Sequence, residues 1–228
     1  MKQLALDIGL ATGATLASFL PGPNEDALRH LLMWVGEHSN AATRSPVPTY
    51  LWGTEGSGKT HLLKGVREAL REQSASVGWL DATQGEPAPF NEGWAAVLFD
   101  DVQLYTAVQQ QAAFNWFVNA QGLQRWVLAA GSLPPSDLAL RDDLRSRLGW
   151  GHVFGLKVLS EPERRAVLRQ TADARGVFLS DEVMDFMLTR FSRDLGSLME
   201  LLELIDGYAL ETKRAITVPL IRTMMENV

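Results

Sequence analysis

The chain has 228 residues, enough for one α/β core with a small second domain. It carries 21 Lys and Arg against 27 Asp and Glu, with no basic excess in its last third, and that charge argues against sequence-specific DNA binding by this chain alone. It has no cysteine, which rules out disulfides, thiolate metal sites and cysteine nucleophiles; its four histidines, His30, His38, His61 and His152, are not at metal-ligand spacing. No stretch reaches the ~18 apolar residues of a membrane span and no secretory pattern opens the chain, so a cytoplasmic protein without membrane contact is expected.

Residues 1–17 show no clear period and read as a flexible tail. After Pro21-Gly22-Pro23 a helix is expected, with Asn24 as its N-cap and Ala27, Leu28, Leu31, Leu32 and Val35 as its apolar stripe. Ala41 to Pro48 is a loop. Tyr50 to Trp52 reads as a strand, Lys59 to Glu72 as a helix and Val77 to Leu80 as a strand. Ala95 to Phe99 and Trp126 to Ala130 are continuous apolar runs suited to strands buried on both faces, with a helix from Val108 to Ala120 between them. Val153 to Lys157 reads as the last strand. Such alternation implies a parallel sheet.

From Ser160 onward only helical patterns appear. Ser160 with Glu163 forms a capping box, and that helix ends at Gly176. Ser180 caps a helix with Val183, Phe186, Met187 and Phe191 on one face. A third runs from Leu195 to Glu211 on a seam of Leu198, Leu202, Ile205 and Ala209, and Thr217 opens a short last one. The expected organisation is a tail over 1–17, an α/β nucleotide-binding core over 18–159 and an all-helical domain over 160–228.

The chemistry is concentrated in Gly53-Thr54-Glu55-Gly56-Ser57-Gly58-Lys59-Thr60, which fits G-x-x-x-x-G-K-[ST] between an expected strand and an expected helix. Glycines let backbone N–H groups turn toward phosphate oxygens, and a helix N-terminus adds partial positive charge. Gly53, Gly56, Ser57, Gly58, Lys59, Thr60 and the adjoining His61 are the candidate nucleotide-binding residues, with Lys59 on the β/γ-phosphates and the Thr60 hydroxyl on Mg²⁺. Val97 to Asp101 is an apolar strand ending in two carboxylates. Asp100 is the candidate for the metal, and Asp101 for orienting or activating water. Arg141, Arg145 and Arg147 cluster before Leu148-Gly149-Trp150. An arginine at a subunit edge can stabilise charge on a neighbour's γ-phosphate, although a solvated basic turn explains the cluster as well. The seven tryptophans are assigned mainly to core packing.

Together these features resemble the AAA+ proteins, and more narrowly the bacterial replication initiator DnaA. VLFDDVQLY (97–105) is similar to the initiator's Walker B segment, VLAAGSLPPSDL (127–138) to its sensor 1 strand and following loop, DLRSRLGWGHVFGL (143–156) to its box VII, and ITVPLIRTMMENV (216–228) to the end of its lid. The resemblance implies a parallel-sheet P-loop AAA+ core followed by a helical lid, and puts Arg147 at the arginine-finger position. It stops at the lid, so no DNA-binding helix-turn-helix is expected. Asp81 to Trp94 is short where the initiator carries extra helices used in assembly on DNA. Gly196 stands in place of the sensor 2 arginine, with Arg193 one turn off, and Ser132 replaces an acidic residue after sensor 1.

In place of the initiator's amino-terminal domain stands Gln3-Leu4-Ala5-Leu6-Asp7. This is similar to the short motif that docks on the DNA polymerase sliding clamp, with Gln3 at the pocket rim and Leu4 and Leu6 filling it. The combination resembles the Hda family, the regulatory inactivators of DnaA. It implies ADP or ATP with Mg²⁺ as ligands, DnaA and the β clamp as partners, and Arg147 and Asp101 as the residues of catalysis. The implied function is stimulated hydrolysis of DnaA-bound ATP at the DNA-loaded clamp, blocking re-initiation. The missing sensor 2 arginine implies weak intrinsic hydrolysis. A homodimer stays open, and so does an autonomous AAA+ ATPase of helicase-loader type.

Overall fold

The computed structural model describes residues 14–36, 46–191 and 195–226. The chain divides into two compact units: Met1–Gly53 with Gly58–Leu156, and Thr54–Ser57 with Lys157–Val228.

The first unit contains α1 (Glu25–Val35), β1 (Thr49–Trp52), α2 (Lys59–Glu72), β2 (Val77–Leu80), β3 (Ala96–Phe99), α3 (Ala107–Gly122), β4 (Trp126–Gly131), α4 (Asp142–Leu148) and β5 (His152–Gly155). The five strands form one sheet in the order β2-β3-β4-β1-β5, and every pairing is parallel. The register sets Tyr50 beside Ala129 and Leu51 beside Ala130, and Leu98 beside Leu128.

Side chains alternate along these strands, so a sheet with helices on both sides needs apolar residues at every position. Leu51, Leu98, Trp126 and Leu128 join α1 and α2 in one core, around Leu31, Trp34, Leu62, Val66 and Leu70. Trp34 stacks on Trp126 with ring centroids 3.6 Å apart. The intervening residues Tyr50, Val97, Phe99, Val127 and Ala129 face the other way, into a core with Trp116, Phe117, Leu144 and Leu148. The tryptophans are mostly at least partly buried, but Trp150 is 67% exposed.

Three local differences from the sequence reading have physical causes. Asn24 does precede α1 but makes no side-chain cap; a 3-10 turn over Gly22–Asn24 feeds the helix, and the Asn24 N–H bonds Pro21 O. Residues 14–17 are not tail: Leu16 is buried in the core, and the chain there lies directly on α2 at Gly65, where a Cβ would meet Thr15 C at 2.9 Å. The last strand is His152–Gly155, not Val153 to Lys157, because its partner β1 ends at Trp52, level with Gly155.

The second unit holds α5 (Glu161–Ala174), α6 (Asp181–Arg190), α7 (Leu195–Thr212) and α8 (Val218–Glu226). Their core is Leu168, Met184, Met187, Leu198, Leu202, Ile205 and Ile221, with neighbours. The Ser160 N–H donates to the Glu163 carboxylate at 2.6 Å, Ser180 Oγ accepts from Val183 N–H at 3.3 Å, and Thr217 Oγ1 accepts from Leu220 N–H at 3.4 Å. Helix donors that lack an intrahelical partner are satisfied in this way. Gly176 ends the α5 turn with φ of +70°, the conformation that favours glycine.

Candidate nucleotide site

The G-x-x-x-x-G-K-[ST] stretch joins the end of β1 to the start of α2. Gly56 and Gly58 take φ of +76° and +92°, which a Cβ would strain. A Cβ on Gly58 would also meet Phe19 Cε2 at 2.7 Å. The Lys59 ammonium, buried with its residue 7% exposed, donates to Gly53 O at 2.9 Å. Gly53 N–H in turn donates to Gly131 O at 3.2 Å, across from β1 to β4. Ser57 is buried, and its Oγ has no hydrogen-bond partner among the described residues.

The two carboxylates lie at the end of β3. Asp100 accepts a hydrogen bond from Thr60, so α2 and β3 bring together the two residues expected at the metal. Burial pushes the Asp100 carboxyl above the ordinary carboxylate range, and the Asp101 charge adds to this; the Thr60 hydroxyl and the Lys59 ammonium oppose it. Asp101 is in the left-handed region at φ +50° and accepts from Gln103 Nε2 at 3.0 Å. The Gln103 Oε1 accepts from Ser132 N–H at 3.0 Å.

These residues suit a phosphate ligand and its cation. A turn with two glycines at positive φ at the N-terminus of a 14-residue helix, a buried serine hydroxyl without a partner among the described residues, a lysine and a Thr–Asp pair offer donors for phosphate and hard oxygen ligands for magnesium. His61 is differently occupied. Its Nε2 meets Thr15 O at 2.9 Å and Ser18 Oγ at 3.2 Å, and its ring lies 5.7 Å from that of Phe19. It ties residues 15–19 to α2.

The sequence reading left a solvated basic turn as one of two alternatives for the three clustered arginines; Arg145 and Arg147 lie on a helix, α4, with Arg141 as its N-cap residue. Its acidic first turn (Asp142, Asp143) and basic last turn (Arg145, Arg147) match the helix dipole and are the signal that marks it. Arg141 pairs with Asp143 at 2.7 Å and Arg145 with Asp142 at 2.6 Å. Arg147 is exposed and has no carboxylate partner among the described residues; its guanidinium lies 5.2 Å from the Phe114 ring centroid and 5.9 Å from that of Phe117. Gln3, Leu4, Leu6 and Arg193 lie outside the described residues. Gly196 falls within α7. Sequence reasoning missed the Gln103 bridge and the approach of His30 to His152, whose ring centroids are 4.5 Å apart, since both contacts join residues distant in the chain.

Residues 161–225 match the family model described as "Hda, lid domain". An uncharacterized protein of Haemophilus influenzae is 30% identical over 98% of this chain and 98% of its own length. Among solved structures, domain III of the Thermotoga maritima replication initiation protein DnaA superposes with a TM-score of 0.74 at 20% identity, covering 99% of this chain and 98% of that one. AMPPCP-bound DnaA from Aquifex aeolicus gives 0.67 at 21% identity, over 87% of this chain and 66% of that one. The Holliday junction branch migration motor RuvB of Thermotoga maritima gives 0.62 at 15% identity, over 89% and 68%. With a lid of the Hda type, a relative matched along nearly its whole length and a parallel sheet of the DnaA type, the chain belongs to the Hda-like, DnaA-related AAA+ proteins.

Proposed function

We propose that this chain is a regulator of replication initiation that holds an adenine nucleotide of its own and lends Arg147 to the nucleotide site of DnaA. The observation that carries the reading is the state of the three arginines clustered at α4. Two are paired with carboxylates, while Arg147 is exposed beside Trp150 and without a carboxylate partner among the described residues. A guanidinium presented in this way can stabilise the charge that develops on a γ-phosphate, a contribution on the order of 10³–10⁵ in rate.

The chain's own P-loop takes the supporting part. Gly53 to Thr60 would hold the phosphates of ADP or ATP, with the Ser57 hydroxyl and the Lys59 ammonium as side-chain donors. Thr60 and Asp100 would hold Mg²⁺, which neutralises phosphate charge when bound. The similarity of fold to an AMPPCP-bound DnaA supports an adenine nucleotide as the ligand. Glycine at 196 removes the sensor 2 arginine, so the nucleotide serves as a fixed ligand more than as fuel. Gln3, Leu4 and Leu6 would dock on the DNA polymerase sliding clamp and keep the chain near DnaA on DNA.

The test is reconstitution with ATP-loaded DnaA, the clamp and primed DNA. Arg147→Ala is expected to lose at least 10²-fold in stimulated hydrolysis while binding ADP as the parent does. Equal stimulation by the variant would falsify the role of Arg147. Deleting residues 1–8 is expected to abolish capture by the clamp. Steady ATP turnover by the isolated chain, independent of the clamp, would instead support an autonomous ATPase of helicase-loader type.

A further inference from the structure

The segment from Asp101 to Tyr105 follows the acidic end of β3, and two glutamines tie it to the chain that runs from β4 to α4. The first is Gln103, which donates to Asp101 Oδ1 and accepts from the Ser132 N–H, both at 3.0 Å. A backbone N–H can only donate, so the orientation of this carboxamide is set: oxygen to Ser132, nitrogen to the carboxylate. Gly131 leaves it room. A Cβ there would meet Val102 Cγ2 at 3.0 Å and Gln103 Oε1 at 3.2 Å, and would fall on the Tyr50 hydroxyl. The second is Gln110, whose Nε2 donates to Tyr105 O at 3.0 Å and whose Oε1 accepts from the Arg141 N–H at 3.1 Å.

The connection between those two ties is itself held. The Tyr50 hydroxyl donates to Leu133 O at 2.7 Å. The 3-10 turn Pro135–Asp137 packs against the end of α4, where a Cβ on Gly149 would meet Pro135 Cβ at 3.2 Å. Ser132 and Arg141, the two ends of the path into α4, are therefore fixed to the segment that carries Asp101. Arg147 lies less than two turns beyond Arg141, the N-cap residue of that helix.

We propose that Gln103 and Gln110 are positioning residues for Arg147, setting where α4 presents it according to the nucleotide state at Asp100 and Asp101. The inference rests on the reading that the P-loop holds a nucleotide and that Arg147 acts on DnaA. On that reading Asp101, held by the Gln103 amide, would also answer to the ligand at the phosphate site. A ligand that draws on this carboxylate biases the bridge only as far as it binds the two arrangements differently. The carboxamides then carry that bias to both ends of the β4–α4 connection, a contiguous set of packed and hydrogen-bonded groups.

The test uses the full chain with ADP as the probe. Amide hydrogen exchange over residues 132–150 is compared with and without ADP for the parent, for Gln103→Met, for Gln110→Met and for the double variant, with ADP affinity and stimulation of DnaA-bound ATP hydrolysis measured on each. The parent is expected to show exchange slowed by ADP. The double variant is expected to bind ADP within about threefold of the parent, to lose the ADP dependence of exchange, and to stimulate about 10- to 100-fold less, the scale of a catalytic group displaced by about 1 Å. Gln103→Glu keeps an acceptor for Ser132 but loses the donor to Asp101. It is expected to uncouple exchange from ADP by itself, and it carries the test if the double variant does not fold. A double variant, or Gln103→Glu, with ADP-dependent exchange and stimulation like the parent's overturns the inference while leaving the proposed function standing. A parent that binds no ADP, or an Arg147→Ala variant as active as the parent, overturns both.

Discussion

At the candidate nucleotide site, Lys59 and Asp100 both have partners within the chain. The lysine ammonium is turned onto Gly53 O, and the Asp100 carboxyl, raised by burial, rests against Thr60. Ionised Asp100 is disfavoured where it stands, so Asp100→Asn is expected to leave the melting temperature unchanged or raise it by a few degrees. The same variant should lose the magnesium dependence of nucleotide binding. Calorimetric scans and titrations with and without Mg²⁺ check the two halves separately. Two histidines give a pH prediction. His30 and His61 are both held below the ordinary histidine value of 6.5, first by burial and then, for His30, by His152; for His61 the Thr15 carbonyl opposes the shift and Lys64 adds to it. The unfolded chain therefore binds more protons than the folded one just below pH 6.5, and stability should fall as the pH drops from 6.5 toward the folded values. Denaturation midpoints at pH 7.5 and 5.5 read this directly, and His30→Gln should flatten the slope.

At the scale of elements, much of the order comes from short polar connections made by side chains. α3 begins with a reciprocal capping box in which Thr106 Oγ1 accepts from Gln109 N–H and Gln109 Oε1 accepts from Thr106 N–H. The same Gln109, 1% exposed, turns its amide nitrogen to Gln84 O at 2.6 Å, with Asp81 O and Ala82 O at 3.3 Å. Trp116 Nε1 adds a bond to Ala88 O at 3.1 Å. The Pro- and Gly-broken stretch between β2 and β3 is thus held to α3 without a helix of its own. Gln109→Ala would strip a cap and leave buried carbonyls short of a donor, at a cost of about 2–4 kcal/mol. Equilibrium unfolding in urea measures that loss. Retained stability would mean that water replaces the amide.

For the molecule as a whole, a ligand that binds the folded chain but not the unfolded one adds about 2.7 kcal/mol at a concentration 100 times its dissociation constant. ADP with Mg²⁺ should therefore raise the parent's melting temperature by several degrees, and Lys59→Ala should remove that shift, measured against the variant's own ligand-free baseline. A shift of the same size in Lys59→Ala would place the nucleotide elsewhere. Each unit has a core of its own: two apolar layers on the faces of the sheet in the first, and the inward seams of α5 to α8 in the second.

Sequence alone determined the elements whose signals are local: the P-loop and its helix, the continuous apolar runs of β3 and β4, the Ser160 and Ser180 caps and the α7 seam. Periodicity, capping and glycine conformations act over a few residues and can be read in one window of chain. The approach of Thr60 to Asp100 was legible too, because parallel strands end at the same edge of a sheet, although β4 lies between β1 and β3. Tertiary structure decided the rest. Only the folded chain shows that Leu16 is core and that His61 is taken by Thr15 and Ser18. The same is true of the carboxylate pairing of Arg141 and Arg145 but not of Arg147, and of the tie Gln103 makes between Asp101 and Ser132. Those outcomes depend on which distant groups reach hydrogen-bonding distance once the sheet is assembled, and no local pattern encodes that.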